Sequence, residues 1–463
     1  MGQDLMDPEH LEPQIDADYD VEETAVKDTN AEYAEGVNTF LHEQEEKLRR
    51  STPLKTYIMI TAMTLNYFMV PGFFGGMGWA LAVVVLIWGW SHSLITGLML
   101  DKVSEAKPQI LSYPDLGAYI GAKLFKGSKH GRRAGYWIIW TAQALGNFLI
   151  SVANLGFCAQ FFQAIFPQPC YIWWIVISYG FVLFLSQVPT FHESFGVNFV
   201  SLSASLVLFV LIIVNMAITG TLEEVSYNIG NITTVFNGIA GICFAFGGHA
   251  IFPEARREMK QPEKFKQSIY WMYATLGLAM AVVGFMGYGI FGTEAKINIF
   301  DNFTWNASVA AGNIFMLLAF FGALVIGNII SMMAIQTVLK IPLLGWGKPK
   351  SYGMPAGVTR TLLRVALVTL ELFLALLIPF IGDLVGLTGA FSSTILTFMF
   401  PCIAYWVVFN KRMSIYTKLV CAFLIVLSVF ICIIGAYGAL VGLVDAAHAF
   451  EPFNLPCSYL DLP

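Results

Sequence analysis

VFNGIAGICFAFGGHAIFPEARREMKQPEKFK, Val235 to Lys266, starts apolar and turns basic without a break. About 20 residues of helix cross the hydrocarbon core of a bilayer, and the apolar part approaches that length. Gly247, Gly248 and His249 fall in its middle, where paired glycines weaken a spanning helix. Unwound backbone survives at membrane depth only where it is buried in protein or lines a cavity. Such a break leaves carbonyls at the end of one half-helix and amides at the start of the next, with both dipoles aimed at the gap. Broken helices of secondary transporters hold small zwitterions in this way. The same residues also fit a glycine pair made for close helix packing, with His249 bonded to a neighbouring helix. This stretch alone leaves both readings open.

The composition fixes the class. Of 463 residues, 57% are hydrophobic and 12% charged, against about 25% charged in an ordinary soluble domain. A polytopic membrane protein follows. Residues 1–50 differ, being acidic from Asp4 to Glu46 with no apolar core for a signal peptide, and read as a disordered cytosolic tail open to cytosolic regulators. The net charge of −5 comes largely from this tail and gives no reason to expect a nucleic-acid partner. Residues 51–445 form the membrane domain and 446–463 a short outer tail.

Eleven apolar segments can be traced, near residues 54–74, 79–100, 134–165, 171–188, 194–219, 233–253, 268–291, 308–339, 361–379, 384–409 and 417–443. From Lys47 onward every Lys and Arg outside these segments falls in alternate connections, Lys296 excepted. The positive-inside bias makes those connections cytosolic, so the N-terminus is expected inside and the C-terminus outside. Three sequons, at Asn231, Asn302 and Asn306, all fall on the opposite, outer side. Lumenal sequons fit a plasma membrane or a vacuole-like compartment, and the plasma membrane is preferred. Cys170 and Cys457 also lie on that side, where a disulfide between them can form.

The first segment, TYIMITAMTLNYFMVPGFFGGMGW from Thr56, repeats the peculiarity of the sixth. It carries Thr64 and Asn66 before a break at Pro71-Gly72, and Pro71 can begin a new half-helix because its missing N–H does no harm there. Segments one and six are broken and segments three and eight are unusually long, five apart in both cases. Breaks at matching positions in two halves point to an inverted repeat with its site between them. Within the membrane, segment three carries Gln143 and Asn147 on one face, with Asn154 near the same stripe. Segment eight carries Asn328 and Ser331, and segment nine Glu371. No P-loop, HExxH, CxxC or GxSxG is present, which speaks against an enzyme.

PDLGAYIG (Pro114–Gly121), LSQVPTFHE (Leu185–Glu193), FAFGGHAIFPEARREMKQPEKF (Phe244–Phe265), GYGIFG (Gly287–Gly292) and GDLVGLTGAFSSTILTFMFP (Gly382–Pro401) resemble the amino acid/auxin permease family, its plant-type amino acid permeases in particular. The similarity runs from about Leu54 to Phe409 in the family's order. It implies an all-α, eleven-helix membrane protein of the LeuT-like 5+5 inverted-repeat fold plus one helix. Such a protein moves amino acids with protons or, in some branches, sodium, and needs no cofactor beyond the ion gradient. The family's unwound segment falls on Phe246, Gly247, Gly248 and His249. Its Gly-x-Gly before Leu-Pro-Tyr is replaced here by Thr64-Leu65-Asn66 before Val70-Pro71-Gly72. Either Asn66 compensates for the missing glycines or the substrate differs from a plain α-amino acid.

The leading expectation is therefore a proton-coupled amino acid symporter, the alternatives being a sodium-coupled one or a non-transporting sensor on the same fold. The substrate is expected between the two breaks. Its carboxylate would meet backbone amides, Thr64 and Asn66 near Pro71, and its ammonium the carbonyls of Phe244 to Gly247. Phe246 would act as a lid, with Gly248 and His249 beside it and Asn147 reading the side chain. Coupling-ion candidates are His249 and Glu371 for a proton, Asn328 and Ser331 for sodium.

Overall fold

The first helix of the membrane domain stops after ten residues, although the apolar run that contains it is twice as long. The computed structural model describes residues 49–188, 190–220, 227–342, 350–378, 380–448 and 456–461. The acidic tail and part of the outer tail lie outside them. In chain order the helices are α1 (Pro53–Ala62), α2 (Val70–Phe74), α3 (Gly78–Ala106), α4 (Tyr113–Leu124) and α5 (Lys129–Ile165). Then come α6 (Tyr171–Leu185), α7 (Phe195–Thr219), α8 (Ile232–Ala245), α9 (Phe252–Arg257) and α10 (Phe265–Phe291). The last five are α11 (Ala307–Val338), α12 (Ala356–Leu377), α13 (Ile381–Thr388), α14 (Phe400–Phe409) and α15 (Ile415–His448).

Each break has a local cause. Thr52 caps α1 by accepting from the Lys55 amide, and Pro53 sits in the first turn. The helix stops where the Thr64 hydroxyl donates to the Ile60 and Thr61 carbonyls at 3.2 and 3.1 Å. A 3₁₀ stretch, Tyr67–Met69, leads into α2, whose first turn holds Pro71. Asn231 caps α8 through the Thr234 amide, at 2.9 Å. That helix ends before Gly247-Gly248, and a 3₁₀ turn, His249–Ile251, leads into α9, with Pro253 in its first turn. The second break falls where the sequence places it; the first comes at Met63–Asn66, ahead of the expected Pro71-Gly72, and Pro71 lies in the first turn of the half-helix that follows.

Nine described helical segments are long and apolar enough to cross a membrane. Of the other two expected, α6 has 15 residues and α12 carries Arg360, Arg364 and Glu371. The departures from an all-α chain among the described residues are a hairpin pairing Lys350–Ser351 with Met354–Pro355 and an isolated bridge between Ser51 and Met259. The long α5 and α11 lie against each other, and α11 also packs against α7. Large apolar side chains such as Phe423, Val426, Phe430 and Ile433 of α15 face outward, as a lipid-facing surface requires.

Between α13 and α14 the chain winds as a π-helix, Gly389–Met399. The Thr394 hydroxyl donates to the Gly389 carbonyl, five residues back, at 2.8 Å. This wide turn presses on α5, where a Cβ at Gly146 would collide with the Ser392 side chain. Only glycine permits that approach. π-Turns are uncommon and cluster at functional sites.

The outer tail is tied down. Cys170 and Cys457 are disulfide-bonded, and the Cys457 carbonyl accepts from the Tyr171 amide at 2.9 Å. Tyr459 donates its hydroxyl to Asp301 Oδ1 at 2.9 Å and its amide to Gln163 Oε1. Burial pushes the Asp301 carboxyl up to about 6, against the pull of the Tyr459 hydroxyl and Lys296.

At the opposite end, the amides of Arg50 and Ser51 donate to the Glu258 carbonyl, and Lys260 returns a bond to Ser51. Glu258 Oε2 accepts from the His192 amide, and burial pushes this carboxyl up to about 7. These bonds fasten the start of α1 to the connection that follows α9.

Candidate substrate site

The two breaks face a common cavity of about 30 Å³. Met63 and Asn66 come from the first break, Phe244, Gly247, Gly248 and Ala250 from the second. Asn147 and Ile150 of α5 form one wall, and Ser392, Ser393, Leu396 and Thr397 of the π-helix another. A space of this size holds about one or two waters, so a larger guest must widen it.

Breaking the helices frees their polar groups. Among the described residues, the amides of Tyr67 and Phe68 and those of Gly248, His249 and Ala250 find no backbone acceptor. The second run of three amides heads α9 and its 3₁₀ lead-in, the end of a helix that attracts negative charge. On the other side of the gap, α8 ends in carbonyls, the end that attracts positive charge. The cavity is lined by residues of both breaks and by no ionisable side chain.

Five residues singled out from the sequence meet here: Asn66, Asn147, Phe244, Gly247 and Gly248. Thr64 is adjacent, its methyl 3.1 Å from where a Cβ on Gly248 would lie, while its hydroxyl closes α1. Pro71 is not in the lining; it packs against Gly287 of α10. Phe246 is fully buried, its ring beside Gly89 of α3 and its carbonyl accepting from the Tyr273 hydroxyl at 3.3 Å. As the cap of α8 it turns toward α3, so in this conformation it is not a lid. His249 also points away. Its Nε2 lies 3.2 Å from Thr96 Oγ1, its Nδ1 3.3 Å from the Tyr273 hydroxyl, and its ring stacks on Phe252.

Asn328 and Glu371 do meet, away from the cavity lining. Asn328 Nδ2 donates to Glu371 Oε2 at 3.4 Å. Asn328 Oδ1, Ser331 Oγ and Glu371 Oε1 are buried with no hydrogen-bond partner among the described residues. The sequon residue Asn306 caps α11 through the Val309 amide, and Asn302 accepts from the Lys296 amide.

The sequence reading misses the π-helix wall and the floor. Hydroxyls crowded into an apolar segment, Ser392, Ser393, Thr394 and Thr397, were the available signal for the wall. The floor is built by Gln143, whose Nε2 donates to the Ala250 carbonyl at 2.6 Å and to Glu254 Oε1 at 2.9 Å. Glu254 Oε1 also accepts from the Tyr113 amide at 3.2 Å. Below lies a second small cavity, about 20 Å³, lined by Ser112, Gln143, Glu254 and Arg257. Above, a vestibule of about 860 Å³ opens past Gly72, Phe157, Asn231, Asp301 and Tyr459. The larger of these two spaces adjoins the sequon residue Asn231, the smaller the basic residue Arg257.

Two broken helices around a central cavity, clamped by two long ones, define a secondary-transporter fold. A manganese transporter from Eremococcus coleocola shares it, at 14% identity, a TM-score of 0.52 and 88% coverage of each chain. Residues 50–441 match the family described as transmembrane amino acid transporter protein, and the chain belongs to that family. Lysine histidine transporter-like 1 of Arabidopsis thaliana is 26% identical over 86% of this chain and 89% of its own. A vesicular GABA transporter of Caenorhabditis elegans is 21% identical over 68% of this chain and 66% of its own. The protein is an integral, multi-pass membrane protein of the LeuT-like class, and these relatives are transporters, not enzymes.

Proposed function

We propose that the protein carries amino acids across a membrane by proton symport, binding them between the breaks in segments one and six. One observation carries the reading: residues of both breaks, Met63 and Asn66 from the first and Phe244, Gly247, Gly248 and Ala250 from the second, line one cavity. A zwitterion matches the two breaks end for end. Coupling to protons is supported by the polar groups of α11 and α12. Asn328 is turned toward Glu371, which leaves Ser331 a thin provision for sodium. His249 already has a partner at each ring nitrogen. That leaves Glu371, buried and facing an amide, as the proton carrier.

In liposomes holding the purified protein, an imposed inward proton gradient is expected to accelerate uptake. Glu371→Gln should make uptake indifferent to that gradient while exchange persists. Uptake that requires sodium and ignores an imposed pH gradient would reverse the assignment.

The same proposal places the N-terminus in the cytosol and the C-terminus outside the plasma membrane, supported by the alternation of basic connections and sequons. After brief treatment of intact cells with an impermeant reductant, an impermeant thiol reagent should label Cys170 and Cys457, and a variant with both replaced by Ser should lose that label. Labelling that appears only after permeabilisation sinks this placement.

A further inference from the structure

If the backbone groups of the two breaks take the charged ends of a zwitterion, the remaining walls can meet only its side chain. Those walls are uncharged. Ile150, Phe244 and Leu396 are apolar; Asn147, Ser393 and Thr397 are polar and neutral. The nearest ionisable groups are turned elsewhere: His249 lies between Thr96 and Tyr273, and Glu254 sits beneath the Gln143–Ala250 floor.

The neutral polar groups are unmatched. Ser393 and Thr397 are 7% and 1% exposed, and neither hydroxyl has a hydrogen-bond partner among the described residues. Their neighbours differ: Ser392 donates to the Ala142 carbonyl and Thr394 to the Gly389 carbonyl. Asn147 donates to the Gln143 carbonyl, and its Oδ1 is buried and unpaired. In a π-helix, with slightly over four residues per turn, Ser393 and Thr397 stand one above the other on the cavity side. Buried polar groups without partners are rare unless a guest completes them.

We propose that the substrate is a small neutral amino acid, and that Ser393, Thr397 and Asn147 select its side chain by hydrogen bonding. The inference rests on the transport reading above. A lysine or glutamate side chain would bring a third charge into a buried space with no counter-charge, and such burial is strongly unfavourable. The small volume of the cavity adds to the preference for short side chains.

The test is uptake of radiolabelled L-serine, L-alanine, L-lysine and L-glutamate by the full-length protein in liposomes, normalised to the protein inserted. Serine and alanine should enter at least about tenfold faster than lysine or glutamate. Ser393→Ala combined with Thr397→Val should raise the KM for serine several-fold more than that for alanine. Ser393→Asp, which supplies a counter-charge, should raise lysine uptake relative to serine. Lysine or glutamate entering as fast as serine overturns the inference and leaves transport standing. A double variant that shifts serine and alanine equally overturns the role of the hydroxyls. Uptake of none of the four by correctly inserted protein overturns the transport reading itself.

Discussion

Gly248→Val should reduce uptake more than tenfold while the amount of protein in the membrane stays near normal. Gly248 has φ −162°, outside the left-handed region that favours glycine, and the constraint on valine that the structure shows is space. A Cβ there would lie 2.7 Å from Met272 Cε and 3.1 Å from Thr64 Cγ2. The Met272 methyl is the far end of a flexible side chain and can yield. The added methyls would then occupy the gap between the two breaks, whose free volume is about 30 Å³. The break would be filled and stiffened without removing the fold. Uptake and quantitative membrane immunoblotting check this together. If uptake falls only in proportion to lost protein, the glycines serve packing; if a well-inserted variant transports normally, the site lies elsewhere.

Glu254→Ala should have the second large effect, acting on closure as well as on stability. Its carboxylate joins three parts of the chain: α9, the turn that opens α4, and α5 through Gln143. Truncation leaves the buried Tyr113 amide without an acceptor and Gln143 with one bond fewer, a cost of about 1–3 kcal/mol for each unsatisfied group. Arg257, itself buried and donating to the Leu111 carbonyl, would lose its nearby carboxylate. The floor between the central cavity and the smaller space beside Arg257 would loosen. The expected result is a lower unfolding temperature in detergent and uptake reduced at least tenfold. Glu254→Gln keeps the shape and an acceptor oxygen, so it should recover much of the stability. A Glu254→Ala protein as stable and as active as the parent would remove the floor from the argument.

Composition and periodicity alone determined that this is a helical membrane protein, and glycine placement determined where the second of its two broken helices breaks, while the first breaks some residues ahead of Pro71. These are local properties. Paired glycines at 247–248 and prolines at 71 and 253 act through their own backbone freedom, whatever surrounds them. The cavity residues Asn66, Asn147 and Gly248 were legible for the same reason, being polar or helix-breaking in otherwise apolar segments. What only the tertiary structure decided is direction. His249 and Phe246 adjoin the break in sequence, yet the turn that follows α8 aims both at α3 and α10. The opposite holds for Ser393 and Thr397, remote in sequence and brought to the cavity by a π-helix. Their facing depends on the wider turn of the π-helix and on Gly146 letting α5 approach, and a linear pattern does not record which surface a wide turn will present. Glu254 reads as one more charge in a basic run. It becomes a joint only because α4 and α5, more than a hundred residues earlier, deliver the donors that it accepts.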